Sequence, residues 1–216
     1  TYYVYKKIGG VFGFIGRATD VTFTDNNIKA EATDTPPTDR TIFNTSNDYP
    51  ATVTYHQQRL AFGQSNNDPQ KVWMSQIGNY HNFNVSEPLR DDDSVTFTIA
   101  SSQVNEIRHM VALSDLILLT SGGEWLMTSS DGKVVSPTSI KIDPQGYRGV
   151  SEVPPLVIGN TIIYVQAKGS IIRDLAYALD SDSYTGNDLT VLSNHLFAGK
   201  SIREWAFAQD RKSTRL

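Results

Sequence analysis

Cysteine is absent from all 216 residues, which excludes a disulfide framework, a thiol nucleophile and a thiolate zinc site. No apolar run approaches the roughly 18–20 residues that a membrane helix requires; Leu116 to Leu119 is strand-sized. An excess of positive charge is missing too. Nineteen Lys and Arg stand against 23 Asp and Glu, and the resulting net charge of −4 argues against coating nucleic acid by neutralising its phosphates. Hydrophobic residues make up 39%, below the roughly 45–50% of ordinary globular chains. They fall in short runs along the whole chain, which supports a modest core and not disorder. The HExxH, G-x-S-x-G, G-x-G-x-x-G and P-loop patterns do not occur, so no zincin, serine-elbow hydrolase or nucleotide enzyme is read here.

What is present is short strands and turn residues, in a length that suits one large β domain or two small ones. Tyr3-Val4-Tyr5 and Val11 to Ile15, joined through Gly9-Gly10, predict a hairpin, and the alternation Val21-Thr22-Phe23-Thr24 predicts a further strand. From Ala32 to Pro50 the composition shifts to Asp, Thr, Asn and Pro. Proline fixes φ and keeps the preceding residue out of the helical region, so this stretch reads as an extended connector. The expected division is a small β segment with its connector over 1–44 and a second region over 45–216.

That second region carries a recurring unit of strand, polar turn, strand, Gly-containing turn, strand. Its copies are Ala51 to Ser75 with the turn at Gln57-Gln58, Ile107 to Thr128 with the turn at Ser114-Asp115, and Pro155 to Leu175 with the turn at Gly159-Asn160. A fourth would begin with Ile202 to Ala208 and turn at Gln209-Asp210. The residues after the turns, Arg59, Leu116, Thr161 and Arg211, lie 57, 45 and 50 residues apart. Periods of roughly 40–50 residues built from short antiparallel strands predict propeller blades, each burying its faces against its neighbours. The expected fold is therefore all-β, a partial β-propeller of blade-like repeats with a small N-terminal β segment. An ordinary β-sandwich with similar hairpins is the alternative. The chain opens at Thr1 within a strand-like run and ends at Arg211 to Leu216 without a partner strand, so it reads as a fragment whose last unit is cut.

One helix is predicted where Thr185 to Asp188 supplies caps and negative charge, Leu189, Leu192 and Leu196 share a face, and Gly199 provides the stop. It is expected to pack on the outside of a blade.

Residues able to carry chemistry are scattered. His56, His81, His109 and His195 fall in four elements without metal-ligand spacing and read as filling strand or helix faces. Asp180 to Asp188 invites comparison with a calcium loop. Its Gly stands one place late, Tyr184 occupies the fifth position and Val191 the twelfth, so a helix N-terminus that gathers Asp side chains explains it better. Asp91-Asp92-Asp93 reads as a solvated loop held open by repulsion, and Ser129-Ser130-Asp131-Gly132 as a hairpin turn resembling a sialidase Asp-box without its aromatic closure. Glu124, Asp115 and Asp174 are the carboxylates that could meet at the roughly 5–10 Å that glycoside hydrolysis needs, although no pair is nominated. Trp73, Trp125 and Trp205 occupy equivalent strand positions, which favours core packing over sugar stacking. No catalytic, cofactor-binding or metal-ligating residue is assigned, and no cofactor is expected.

Several segments, taken together and in order, carry a family resemblance. They are Tyr5-Lys6-Lys7 with Gly13-Phe14-Ile15-Gly16, Asp25 to Ile28 ahead of Thr35-Pro36-Pro37, and Tyr49-Pro50 with Gln58 to Gly63. Trp73-Met74-Ser75 with Tyr80 to Phe83, and Val153 through Tyr184 to Leu189, complete the set. The chain resembles the tail hub, or nozzle, proteins of short-tailed bacteriophages and their prophage relatives, up to about Asp210. The resemblance implies a virion structural protein, not an enzyme. It implies a homo-oligomeric ring, sixfold in the intact protein, below the portal and its adaptor and above the distal tail proteins, made in the host cytoplasm and passed by DNA during ejection. The lack of a basic surface agrees, since a lumen that neutralised phosphates would hold DNA and slow its passage. A carbohydrate-binding or glycoside-hydrolysing propeller is the alternative.

Overall fold

The alternating runs become sixteen short strands in a computed structural model that describes residues 1–38 and 40–208. The N-terminal hairpin pairs β1 (Tyr2–Ile8) with β2 (Val11–Ala18), and β3 (Thr35–Thr38) follows. Sheet I consists of β4 (Thr52–His56), β5 (Arg59–Gly63) and β6 (Lys71–Met74). The chain then leaves the sheet over residues 75–94, which contain β7 (Val85–Glu87), and returns as β8 (Val95–Thr98). Sheet II is β9 (Ile107–Ala112), β10 (Leu116–Thr120), β11 (Glu124–Ser129) and β12 (Ile140–Gly146). Sheet III is β13 (Leu156–Ile158), β14 (Thr161–Val165), β15 (Ile172–Ala178) and β16 (Ser183–Thr185). Each is an antiparallel meander in chain order, as the three sequence repeats predict.

The turns show how the register is set. Gln57 and Gln58 both lie in the left-handed region, with φ of 46° and 59°, so that His56 pairs directly with Arg59. A two-residue hairpin whose twist matches its strands requires this. In sheet II, Ala112 pairs with Leu116, so the loop is the three residues Leu113–Asp115 and not the two expected. Gly149, between sheets II and III, has φ of 70°, and a Cβ there would meet the Ser121 carbonyl oxygen at 2.0 Å. Only glycine lets these two backbones approach so closely.

Sheet II is covered on both faces, which explains why Leu116 to Leu119 is continuously apolar where an antiparallel strand usually alternates. Leu116 and Leu118 join Ala61, Val72 and Met74 of sheet I in one core. Ile117 and Leu119 join Ile162, Tyr164 and Leu175 of sheet III in a second core. Strand β4 runs beside β9. Three small sheets stacked face to face agree with the expected partial propeller, and among the described residues they do not close into a barrel.

Four local expectations are corrected. Val21 to Thr24 forms no strand: Glu31 makes the bridge to Phe14 of the hairpin instead, and a Cβ at Gly16 would meet the Phe23 ring at 2.9 Å. The Pro-rich connector is extended as predicted, but it is also paired, since β3 lies antiparallel to β7. The helix shrinks to a 3-10 turn over Val191–Ser193 and one α turn, α1 (Asn194–Phe197). Leu189, Leu192 and Leu196 remain exposed, so no core supports a longer helix. Gly199 ends it with φ of 72°. Ile202 to Ala208 is not a strand. Its Ile202 N–H donates to the Gly169 carbonyl (2.8 Å) and the Trp205 Nε1–H to the Pro154 carbonyl (2.6 Å) at one end of sheet III. Its expected turn at Gln209-Asp210 lies outside the described residues. Trp73 and Trp125 are buried as expected, whereas Trp205 is only half-buried.

Candidate functional site

Arg59 opens β5 and points inward with Ala61 and Gly63, small residues that leave room for its long side chain. It is fully buried. Its Nη1 donates to the carbonyls of Ser75 (2.8 Å) and Asp93 (2.5 Å), and its Nη2 to those of Asp91 (2.9 Å) and Val135 (3.2 Å). The Val135 N–H in turn donates to Gln57 Oε1 (2.7 Å), so Gln57 and Arg59 bind both sides of one residue of sheet II's long loop. Burial lowers the pKa of the guanidinium, and Asp92 and Asp93 oppose the shift. The acidic triplet is therefore solvated only in part: Asp91 and Asp92 are exposed as expected, and Asp93 is not. Asp93 is buried, and its carboxylate accepts from the Ser86 N–H (2.9 Å), the Ser86 hydroxyl (2.8 Å) and the Arg90 N–H (2.9 Å). Three donors and a nearby guanidinium outweigh the repulsion expected from sequence.

The carboxylates considered for hydrolysis do not converge. Glu124, buried at the start of β11, accepts from the Tyr164 hydroxyl (2.8 Å) and opens on a cleft of about 430 Å³ between sheets II and III, with Arg148 and Tyr147 on its lining. Burial and the Glu124 charge raise the pKa of the Tyr164 hydroxyl. Asp115 lines a different cleft, of about 370 Å³, with Asp143 and Asp182. Asp174 borders neither and accepts from the Asn187 N–H. Within the second cleft Lys141 pairs with Asp143 (2.7 Å), and Asp182 accepts from the Tyr177 hydroxyl (2.5 Å).

The calcium-like stretch is divided among unrelated tasks. Asp182 turns the chain from β15 into β16, Ser183 to Thr185 are strand, and Asp188 Oδ1 accepts from the Thr190 N–H (2.8 Å) and hydroxyl (2.6 Å). Only Asp188 serves the helical turn, so the expected gathering of carboxylates at a helix N-terminus is corrected. Ser129 ends β11 and Ser130 to Gly132 begin the loop to β12, with Asp131 accepting from the Ser129 hydroxyl (2.5 Å) and the Lys133 N–H (3.1 Å). Among the described residues, no three His, Asp or Glu side chains are grouped to hold a metal.

Two histidines are buried or half-buried and two exposed. Burial depresses the pKa of His56 against the opposing pull of Asp115. Burial also depresses that of His109, whose Nε2 lies 3.2 Å from the Ser151 carbonyl; this carbonyl opposes the shift and Arg108 reinforces it. The unfolded groups titrate near 6.5. Above that value both states are neutral and the histidines contribute nothing. As pH falls below it, the unfolded chain binds protons that the folded chain refuses, and stability declines until the folded values are reached, by about 1.4 kcal/mol per pKa unit for each group. Thermal unfolding between pH 7.5 and 5 should therefore show a falling midpoint, and H56Q/H109Q should flatten that slope.

Arg59 was named only as a marker of the repeat, and neither it nor Asp143 nor Tyr164 was read as a site residue. Arg59 had a signal, because the period of two places it on the face of Ala61 and Gly63, where a charge must find buried partners. Asp143 and Tyr164 had none, since their roles depend on neighbours in other strands.

A family model described as bacteriophage nozzle protein matches residues 43–196, a span containing all three sheets. No curated protein matches the chain.

Proposed function

Because the chain belongs to the bacteriophage nozzle protein family and is a structural component of a phage tail, we propose that it builds a ring through which DNA leaves the particle. In this reading the intact protein forms a hexamer below the portal and its adaptor and above the distal tail proteins. It acts by docking and not by catalysis, and it is made in the host cytoplasm before joining the virion. Residues 1–44 are taken as a small β segment with its connector, joined to the rest through the β3–β7 pair, and 45–216 as the blade-like region. The family match over 43–196 carries the proposal. The carbohydrate-active alternative draws less support, because Glu124, Asp115 and Asp174 sit apart and the acids that share a cleft include two with partners of their own.

The test is co-sedimentation of the chain with portal-bearing particles that lack tails, against tailed particles as control. Saturable binding to the tailless particles alone is the expected result. Equal binding to both, or to neither, overturns the proposal.

A further inference from the structure

The N-terminal ribbon leaves most of its side chains half-buried or exposed. Two strands alone bury little, and the main strand neighbours of the ribbon are its own: β1 lies against β2, and β2 against β3. One face presents Tyr3, Tyr5, Phe12 and Phe14, with Tyr3 and Tyr5 set at angles to the Phe14 ring (6.1 and 5.8 Å between centroids). Lys7 lies over Phe12 (5.4 Å) and Arg17 over Tyr3 (5.0 Å). At the tip, Gly9 and Gly10 reverse the chain with φ of 62° and 92°, leaving Ile8, Val11 and Phe12 exposed by 53%, 51% and 45%. From Tyr2 to Ala18 there are three cations, Lys6, Lys7 and Arg17, and no carboxylate, although the whole chain is net negative; Lys6 pairs with Asp25 (2.7 Å), which leaves the exposed Lys7 and Arg17 to meet a partner.

The complementary chemistry lies in the cleft between sheets II and III. Asp115, Asp143 and Asp182 face a single lysine, Lys141, over a lining that includes Leu126 and Tyr184. The ribbon's own chain does not fill this cleft, because the ribbon is tied to sheet I's long loop. Arg90 of that loop lies over Tyr3 (4.8 Å) and pairs with Asp34 (3.4 Å).

We propose that the cationic, apolar-tipped ribbon of one subunit docks into the acidic cleft of the next copy of this chain. Arm into cleft is a heterologous contact, the kind that generates rings when its rotation closes. Charge complementarity of this kind selects partner and register, and it is weakened by salt. The inference rests on the ring-assembly reading above.

The experiment is sedimentation velocity on the full chain over a range of concentration and salt. The wild type should associate with increasing concentration and dissociate as salt rises. K7E/R17E and D115K/D182K should each weaken association by about tenfold or more, and mixing the two should restore it. K7Q/R17Q, a milder change checked for native circular dichroism, should weaken association and reduce its salt dependence. A wild type that stays monomeric, variants that associate as the wild type does, or a mixture that fails to recover each overturn the inference. So does a wild type that binds vesicles containing phosphatidylglycerol through the ribbon while K7E/R17E leaves self-association unchanged. A chain that binds tailless particles yet never self-associates overturns the arm contact alone. A chain that self-associates but ignores those particles overturns the tail reading and leaves the contact standing.

Discussion

Replacing Arg59 with methionine should lower the stability of the chain by about 3–5 kcal/mol, the range seen when one member of a buried charged network is removed. Methionine keeps much of the apolar stem but none of the donors. The carbonyls of Ser75, Asp91, Asp93 and Val135 then lose their partner together, and a buried acceptor left unpaired costs about 1–3 kcal/mol. The total stays below four such terms because the loop over residues 75–94 relaxes and admits water. For a chain of this length the loss corresponds to a fall of about 6–20 °C in Tm. Arg59→Lys should recover a minority of it, since one ammonium has three donors and lacks the planar fork that reaches four carbonyls. The change should also be local. Asp93 keeps its bonds from Ser86 and Arg90, so the 75–94 loop loses its anchor to sheet I before it loses its own shape. Limited proteolysis should therefore cut within 75–94 first. Thermal unfolding that shows a loss below about 1 kcal/mol would contradict the clasp described here.

The contrast between Arg59 and the three sheets shows which features the sequence displays. Period-two alternation and paired polar turn residues are local properties, and they predicted the strands about Gln57-Gln58 and Gly159-Asn160 closely, with the loop at Leu113–Asp115 one residue longer than expected. Leu116 to Leu119 read only as strand-sized, and its burial on both faces emerged when sheets I and III were seen to cover β10. Features set by distant neighbours were hidden. Asp91 to Asp93 looks like a repelling triplet until Ser86, Arg90 and Arg59 are brought around it. Leu189, Leu192 and Leu196 share a helical face, but that face meets no core, and a helix this short does not persist on spacing alone. Val21 to Thr24 alternates well and still forms no strand, because Glu31 makes the hairpin's bridge. The candidate site was legible only in part. Glu124 and Asp115 were named as carboxylates of interest, yet their separation into two clefts follows from the register of β10 with β11 and β12, which composition does not contain.

Leu118→Ala and Leu119→Ala should each cost about 2–5 kcal/mol, the usual range for truncating a fully buried leucine, and they should loosen different parts of the molecule. Both side chains are completely buried and adjacent in β10, but they point to opposite faces. Leu118 packs in the core shared with Ala61, Val72 and Met74 of sheet I. Leu119 packs in the core shared with Ile162, Tyr164 and Leu175 of sheet III. A cavity at position 118 should therefore raise amide exchange in β5 and β6 while β14 and β15 stay protected, and a cavity at 119 should do the reverse. The two leucines report on the architecture because each core joins one pair of sheets. In a β-sandwich with a single core, adjacent residues of one strand divide between interior and solvent, so only one of the two substitutions would be costly. Two large losses with separate exchange footprints, read by native-state hydrogen exchange, require a central sheet covered on both faces. That is the arrangement a partial propeller predicts, and the same stacking creates the cleft lined by Asp115, Asp143 and Asp182 into which the arm of a neighbouring subunit is proposed to fit.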